Sequence, residues 1–389
     1  MPKKKDKVKG KTDYMLWYVF TCLLVFGLIM VFSASMPSSL EEYGNSYSYF
    51  MKQILYVGFS IVVGVFVLFL PEKLYKSKII TTFALIVVTA LLAYTGLYGS
   101  AAGGARRWIA IKSFSFQPSE VAKVVFILFF AAYLTWVKEK EKIKSFVWGF
   151  AFPIVFCACI TGVTIYYLQN HLSATVIICT TVVVQVFVAG SRLSYWLASA
   201  TIGGVAGGLK LWQSVKEGFS TTDTTSFRKG RIAVWWNPWL DPRGKGWQPI
   251  QSMYAIASGG FWGLGLGQSK QKYLYLSEAQ NDFIFAIVGE ELGFLGCLIV
   301  LLLFVVFIWR GIHIARNASD LQSTLIAIGI TVMIGIQAIM NVAVVTNTIP
   351  VTGVTLPFFS YGGTAVIIDI LSVFLLQNIA RNSKVDTNN

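Results

Sequence analysis

The stretch Tyr14-Met-Leu-Trp-Tyr-Val-Phe-Thr-Cys-Leu-Leu-Val-Phe-Gly-Leu-Ile-Met-Val-Phe-Ser33 runs for twenty residues without a charge. At 1.5 Å per residue, that is the length a helix needs to cross the hydrocarbon core of a bilayer. It ends in Ser-Ala-Ser-Met without a convincing cleavage site and opens a series of similar runs, so it reads as a retained span and not a signal peptide. Eight more runs of comparable length follow: Ile54–Leu70, Ile79–Leu97, Pro118–Val137, Phe146–Leu168, Leu172–Ala189, Leu193–Trp212, Phe283–Trp309 and Leu321–Val345. A tenth, Phe358–Ile379, is interrupted by Tyr361-Gly362-Gly363 and contains Asp369.

The whole chain agrees with this reading. Of its 389 residues 55% are hydrophobic and 13% charged, with a mean hydropathy of +0.64. Soluble domains carry about 25% charged residues. The deficit excludes a disordered or nucleic-acid-binding protein in spite of a net charge of +14. Cys22, Cys157, Cys159, Cys179 and Cys297 all fall in apolar runs without metal-ligand spacing, which makes them small core residues. The expected fold is an all-α polytopic membrane protein of ten transmembrane helices.

Lys and Arg concentrate in short cytoplasmic segments of such proteins. The N-terminal tail holds six lysines, and basic residues recur in every second loop: Lys73/Lys76/Lys78, Lys138/Lys140/Lys142/Lys144, Arg192, Arg310/Arg316 and Arg381/Lys384. Both termini are therefore expected in the cytoplasm. The single domain would span 1–389, with a basic cytoplasmic tail 1–13, a large extracytoplasmic loop 213–281 between helices 7 and 8, and a cytoplasmic tail 380–389. Two outer segments are nevertheless basic: Arg106, Arg107 and Lys112, and a second set that includes Arg231, Lys270 and Lys272. An anionic ligand outside the membrane and a helix lying on lipid head groups, anchored by Trp235, Trp236, Trp239 and Trp247, both account for the excess.

Ionisable residues inside spans are costly and mark function by default. Glu120 and Lys123, three apart on one helix face after Pro118, read either as an ion pair that fixes packing or as the lining of a polar cavity. Lys210 and Asp369 complete the charges isolated within spans. Asp282 stands at the mouth of the eighth span, where an acid in the first turn of a helix is also ordinary. Glu290 and Glu291 lie about 12 Å deeper, too far for a paired acid and base, so carboxylate chemistry here uses one base. The glycine-rich 258–267 stretch lacks the Gly-Lys-Ser/Thr ending of a phosphate loop and reads as a re-entrant turn, with a backbone phosphate nest as the alternative. His171 and His313, the two histidines, fall on opposite sides of the membrane and share no metal or triad.

Several ordered motifs resemble the SEDS family of FtsW, RodA and SpoVE. They are Gly104-Ala-Arg-Arg-Trp-Ile, Phe116-Gln-Pro-Ser-Glu-Val-Ala-Lys123, Asn237-Pro-Trp-Leu-Asp-Pro-Arg-Gly, Gln251-Ser, Gly265-Leu-Gly-Gln-Ser-Lys-Gln-Lys, Asn281-Asp-Phe-Ile-Phe-Ala, Gly289-Glu-Glu-Leu-Gly and Pro350-Val-Thr-Gly-Val-Thr-Leu-Pro-Phe-Phe-Ser-Tyr-Gly-Gly363. Leu168-Gln-Asn-His-Leu-Ser173 departs from the acidic form of the RodA branch and is more similar to FtsW or SpoVE. Ser277 and Asp369 also depart from the family pattern.

The resemblance implies peptidoglycan glycosyltransferase activity in the bacterial cytoplasmic membrane, polymerising lipid II on the outer face for division or cell shape. It matches Asp282 to the family's essential acid, expected as general base of an inverting transfer with undecaprenyl pyrophosphate leaving. Arg106, Arg107, Arg231, Lys272, Gln251 and Ser252 are the expected substrate and pyrophosphate contacts, with the Glu120–Lys123 pair supporting the cavity. A divalent cation (Mg or Mn) would assist the departing pyrophosphate; no organic cofactor is expected. The implied partners are lipid II, a class B penicillin-binding transpeptidase and other divisome or elongasome proteins, with no nucleic acid. The rivals are a lipid II flippase that uses internal charges, and a non-catalytic scaffold for the transpeptidase.

Overall fold

A computed structural model describes residues 8–102, 105–111, 114–201, 212–213 and 233–385. Nine helices among them are long and apolar enough to cross a membrane: α1 (Tyr14–Tyr43), α2 (Ser48–Leu68), α4 (Lys78–Tyr98), α5 (Pro118–Glu139), α6 (Val147–Tyr167, with wide turns at both ends), α7 (Leu172–Ala189), α9 (Ile284–Arg316), α10 (Leu321–Val345) and α11 (Gly363–Arg381). A short α3 (Glu72–Tyr75) and α8 (Trp247–Gly259) complete the set. Nine of the ten expected spans are thus present. Half of the seventh, 202–211, lies outside the described residues, as does the 214–232 part of the expected large loop, Arg231 included.

Side chains at the two ends show how the helices alternate. At one end Asp13 caps α1, its carboxylate accepting from Leu16 N at 2.9 Å and pairing with Arg310 of α9 at 2.5 Å. Gln377 of α11 bonds both backbone groups of Asp13. Asn378 donates to the carbonyls of Val67, Leu68 and Leu70, at and just past the end of α2, and accepts from Tyr75. Lys76 reaches Asp320, which caps α10 and whose carboxyl the hydrogen bond to Lys76 helps hold below the usual range. Gln185 of α7, bonded to Leu325 O, belongs to this end, whereas Trp235 bonds Asn347 at the other. Gln185 and Trp235, on either side of the seventh expected span, therefore stand at opposite ends of the bundle.

The second end carries a three-stranded antiparallel sheet between α4 and α5: β2 (Ser100–Ala102), β3 (Ala105–Ile111) and β4 (Phe114–Phe116), with Ala101 opposite Arg106 and Ala110 opposite Ser115. The sequence reads this segment as a loop, since strands of three residues carry no usable periodicity. A two-residue pairing of 8–9 (β1) with 384–385 (β5) joins the termini at the first end.

The longest helix is broken. Gly293 of α9 has φ 66° and ψ −164°, left-handed geometry that favours glycine. The bonds that Phe294 and Leu295 would make to Glu290 and Glu291 are replaced: Leu264 N and Gly265 N donate to those carbonyls at 3.0 and 2.9 Å, while Phe294 N and Leu295 N donate to Gly260 O and Phe261 O. Close approach is essential to the exchange, because a Cβ on Gly293 would fall 2.3 Å from Gly263 N. The 260–265 loop is the re-entrant turn expected from the glycine run, spliced into the helix it faces.

Asn378→Leu should lower the stability of the detergent-purified protein by about 1–3 kcal/mol in thermal or denaturant unfolding, since it strands the carbonyls at the end of α2. Unchanged stability would show that those carbonyls find other partners.

Candidate active site: a polar cavity beneath Asp282

The splice at Gly293 continues in side chains. Glu290 accepts from Ser269 Oγ, Lys270 N and Gln271 N at 2.5, 2.9 and 3.3 Å. Glu291, fully buried, accepts from Ser33 Oγ of α1, Ser269 N and Lys272 Nζ at 2.7, 3.3 and 2.9 Å. The amides of 269–271 are thus taken by the chain's own carboxylates, and those of Gly263, Leu264 and Gly265 by backbone carbonyls, so none of these six is open to a phosphate. Lys272 is 1% exposed, donates also to Gly267 O and Ser33 Oγ, and does not line the cavity described below. The expectation of a pyrophosphate contact at Lys272 is corrected: burial obliges its charge to pair, and Glu291 is the partner.

This anchoring leads the chain into 280–282, where three consecutive carbonyls are held. Gln280 O accepts from Tyr361 N at 2.8 Å, Asn281 O from Ser360 Oγ at 2.7 Å and Asp282 O from Asn341 Nδ2 at 2.7 Å. Gln53 of α2 in turn donates to Ser360 O. The Phe-Phe-Ser-Tyr-Gly-Gly stretch and α10 therefore fix where the Asp282 side chain stands.

Asp282 faces a cavity of about 560 Å3 bounded by the sheet, the first turns of α5 and α7, α10 and the 351–355 loop, within the range of small-molecule sites. Burial pushes the Asp282 carboxyl up to about 6; Glu278 adds to the rise and Arg107 opposes it. Arg107 donates to Asn170 O at 3.0 Å and lines the same cavity. Gly353 lets both groups converge on one point: its φ is +68°, and a Cβ there would lie 3.2 Å from Asp282 Oδ2 and 3.7 Å from Arg107 Nη1.

Below them Glu120 and Lys123 form the expected pair at 2.6 Å, both nearly buried and both in the cavity wall. The structural and cavity readings of this pair thus hold together. Asp369 is 1% exposed, and the charges acting on it are Lys123 and Glu120.

The remaining expected contacts separate. Arg106, exposed on β3, donates to Leu97 O at 2.6 Å and is not part of the cavity wall. Ser252 bonds Val345 O and packs α8 on α10, and Gln251 is buried beside it; neither lines the cavity, which Gln248 reaches instead. Arg231 lies outside the described residues. His171 and Gln337 line the cavity although neither is among the expected site residues: His171 is weighed only for metal and triad chemistry, and a neutral glutamine gives no charge signal within an apolar run. Burial, with Arg107 and Lys123 nearby, holds His171 well below its ordinary range, so the ring is neutral at pH 7. Among the described residues no group of three or more His, Cys, Asp and Glu is arranged to hold a metal ion.

Comparison with known proteins matches residues 13–385 to the FtsW/RodA/SpoVE family model, described as cell cycle protein. The stage V sporulation protein E of Bacillus subtilis (strain 168) is 40% identical over 97% of this chain and 99% of its own. A probable peptidoglycan glycosyltransferase FtsW of Geobacter sp. (strain M18) is 36% identical, with 94% of this chain and 95% of the relative covered. Among solved structures, a chain from a study of how a peptidoglycan synthase complex coordinates polymerization and crosslinking superposes with a TM-score of 0.76 at 24% identity, covering 97% of this chain and 99% of that one. The rod shape determining protein RodA of Thermus thermophilus gives 0.66 at 22% identity, with 96% and 98% covered. These two likenesses establish that the chain shares the helical membrane fold of those proteins.

Two outcomes follow. Lys272→Met should destabilise the protein by about 3–5 kcal/mol by leaving Glu291 uncompensated, and Lys272→Met with Glu291→Leu should recover much of the loss; a stable single variant would make Lys272 a free cation again. Difference infrared titration of the Asp282 carboxyl, identified against Asp282→Asn, should give a midpoint near 6. Arg107→Gln should move it up and Glu278→Gln down.

Proposed function

The chain belongs to the FtsW/RodA/SpoVE family, and from that premise we propose that it is a peptidoglycan glycosyltransferase that polymerises lipid II, with Asp282 as its general base. The observation that carries the reading is the convergence of the Asp282 carboxylate and the Arg107 guanidinium above Gly353 at the mouth of one polar cavity, where burial pushes the carboxyl up to about 6. Such a group is largely ionised at neutral pH yet more basic than an exposed carboxylate, which suits general-base work.

In the reaction an acceptor sugar hydroxyl attacks the anomeric carbon of a lipid-linked donor from the face opposite the phosphate. The new glycosidic C–O bond forms as the anomeric C–O bond to phosphate breaks. The hydroxyl proton passes to Asp282, the bonding pair leaves on undecaprenyl pyrophosphate, and configuration inverts. Arg107 is the cation placed to stabilise the leaving charge. Arg106 stands at the rim of the sheet for a second contact, and Arg231 keeps the role expected of it. Glu120 and Lys123 neutralise each other in the wall and keep the cavity polar without adding net charge.

The carboxylates available to a divalent cation are Glu278 and Asp282, both in the cavity wall. One or two carboxylates completed by substrate phosphates is a donor set that Mg2+ accepts, and the ion would screen the pyrophosphate charge.

The distribution of basic residues supports an orientation with the Asp13 end in the cytoplasm and the cavity at the outer face. The partner class is a class B penicillin-binding transpeptidase, supported by the fold shared with the peptidoglycan synthase complex.

The experiment is polymerisation of purified lipid II by the protein with its transpeptidase. Asp282→Ala should lower the yield of glycan polymer by about two to four orders of magnitude while the complex stays intact. Full activity in that variant would remove the mechanism, and lipid II crossing vesicles without polymer would favour a flippase.

A further inference from the structure

The lower part of the cavity holds polar groups that the transfer chemistry does not use. Gln337 is 1% exposed and neither its Oε1 nor its Nε2 has a hydrogen-bond partner. His171 is 4% exposed and its Nδ1 has none. Both side chains line the cavity that Asp282 faces. Gln337 sits one turn of α10 below Asn341, whose amide holds the Asp282 carbonyl, so its depth beneath that carbonyl is about 6 Å. A buried amide without partners costs stability in the free protein, and polar groups left so are explained by a ligand or water that completes them.

The chemistry of this floor selects among the parts of a lipid-linked saccharide. Its lining groups add no net charge, because Glu120 and Lys123 close on each other at 2.6 Å and His171 is uncharged, while Asp369 stands behind that pair and outside the lining. A phosphate, with acceptors and negative charge alone, belongs with Arg107 at the mouth, and an acyl chain makes no use of an amide. A carboxamide offers one donor edge and one acceptor edge, the complement of another amide.

We propose that Gln337 and His171 form a subsite for an N-acetylated sugar, in which Gln337 pairs with the acetamido group and His171 takes a neighbouring hydroxyl. The subsite rests on the reading of the cavity as a glycosyltransferase site. It makes these two side chains the residues that distinguish acetamido sugars from plain hexoses. The attacking hydroxyl is thereby held up towards Asp282, and the pyrophosphate is left at the rim.

The test measures binding of fluorescent lipid II to the detergent-purified full-length protein, with polymerisation assayed alongside. Gln337→Leu and His171→Leu should each raise the Kd about three- to tenfold, the worth of one or two hydrogen bonds. Replacing both acetamido groups of lipid II by hydroxyls should weaken binding to the wild type by a similar factor, with little further loss in Gln337→Leu. That variant should keep or exceed the wild-type melting temperature, because it removes unpartnered polar atoms. Gln337→Asn, shorter by one methylene but still an amide, should bind between the two.

Wild-type affinity in Gln337→Leu, or independent multiplying losses from variant and analogue, would overturn the subsite. So would a fall in melting temperature with unchanged binding, the mark of a structural glutamine. Polymer formation is read separately: a protein that binds lipid II with this specificity and makes no polymer sinks the proposed activity and leaves the subsite standing.

Discussion

The molecule depends on an exchange of backbone hydrogen bonds at Gly293. A helix that crosses a membrane cannot release peptide groups without replacing their partners, since lipid offers none. Here α9 gives up two internal bonds and receives four from 260–265, while Glu290 and Glu291 take the amides and the lysine of the loop that follows. The irregular 260–272 segment becomes an extension of the helix surface. Asp282, between that segment and the first residue of α9, inherits a fixed position, reinforced by the bonds from Tyr361, Ser360 and Asn341. Placement of the Asp282 carboxylate thus recruits α1, α2, α9, α10 and the 351–362 loop together.

Charge is managed by depth around the cavity. At the mouth, Arg107 and Asp282 converge above Gly353 without neutralising each other fully, and burial keeps the carboxyl well above its ordinary value. In the wall, Glu120 and Lys123 form a closed pair. The floor relies on neutral hydrogen-bonding groups. A substrate with a charged end and an uncharged polar end meets a graded environment, and the reacting bond between the two ends falls near the carboxylate. Such an arrangement suits transfer at the junction of a sugar and a pyrophosphate better than passage of a head group through the bundle.

Much of this was legible in the sequence. Charge-free runs locate the spans because membrane thickness fixes their length, and an acid beside a lysine three residues on, behind a helix-starting proline, identifies Glu120–Lys123. The motifs gave Asp282 a weight that its position alone, an acid in a first helical turn, does not carry. Lys272 reads as available because it is a basic residue in a loop, and only the fold brings it to Glu291 in a pocket closed by Ser33 from the other end of the chain. Ser252 and Gln251 belong to a family motif whose work here is to pack α8 against α10. His171 and Gln337 escape a search confined to ionisable residues in spans, although a glutamine within the 25-residue apolar helix α10 is itself a signal. The short strands around Arg107 leave no periodic trace, so the element that aims this arginine is visible only in three dimensions.

The central claim is that one carboxylate, held near neutrality by burial, takes the proton from the attacking hydroxyl. The pH dependence of kcat/KM for polymerisation of lipid II tests it most directly, because this ratio reports the free enzyme's essential groups. The account predicts a single acidic limb with its midpoint near pH 6, activity rising as Asp282 ionises, and an upward displacement of that midpoint when Arg107 becomes Gln. A profile flat from pH 5 to 8, or a limb that stays in place in the Arg107 variant, would contradict it.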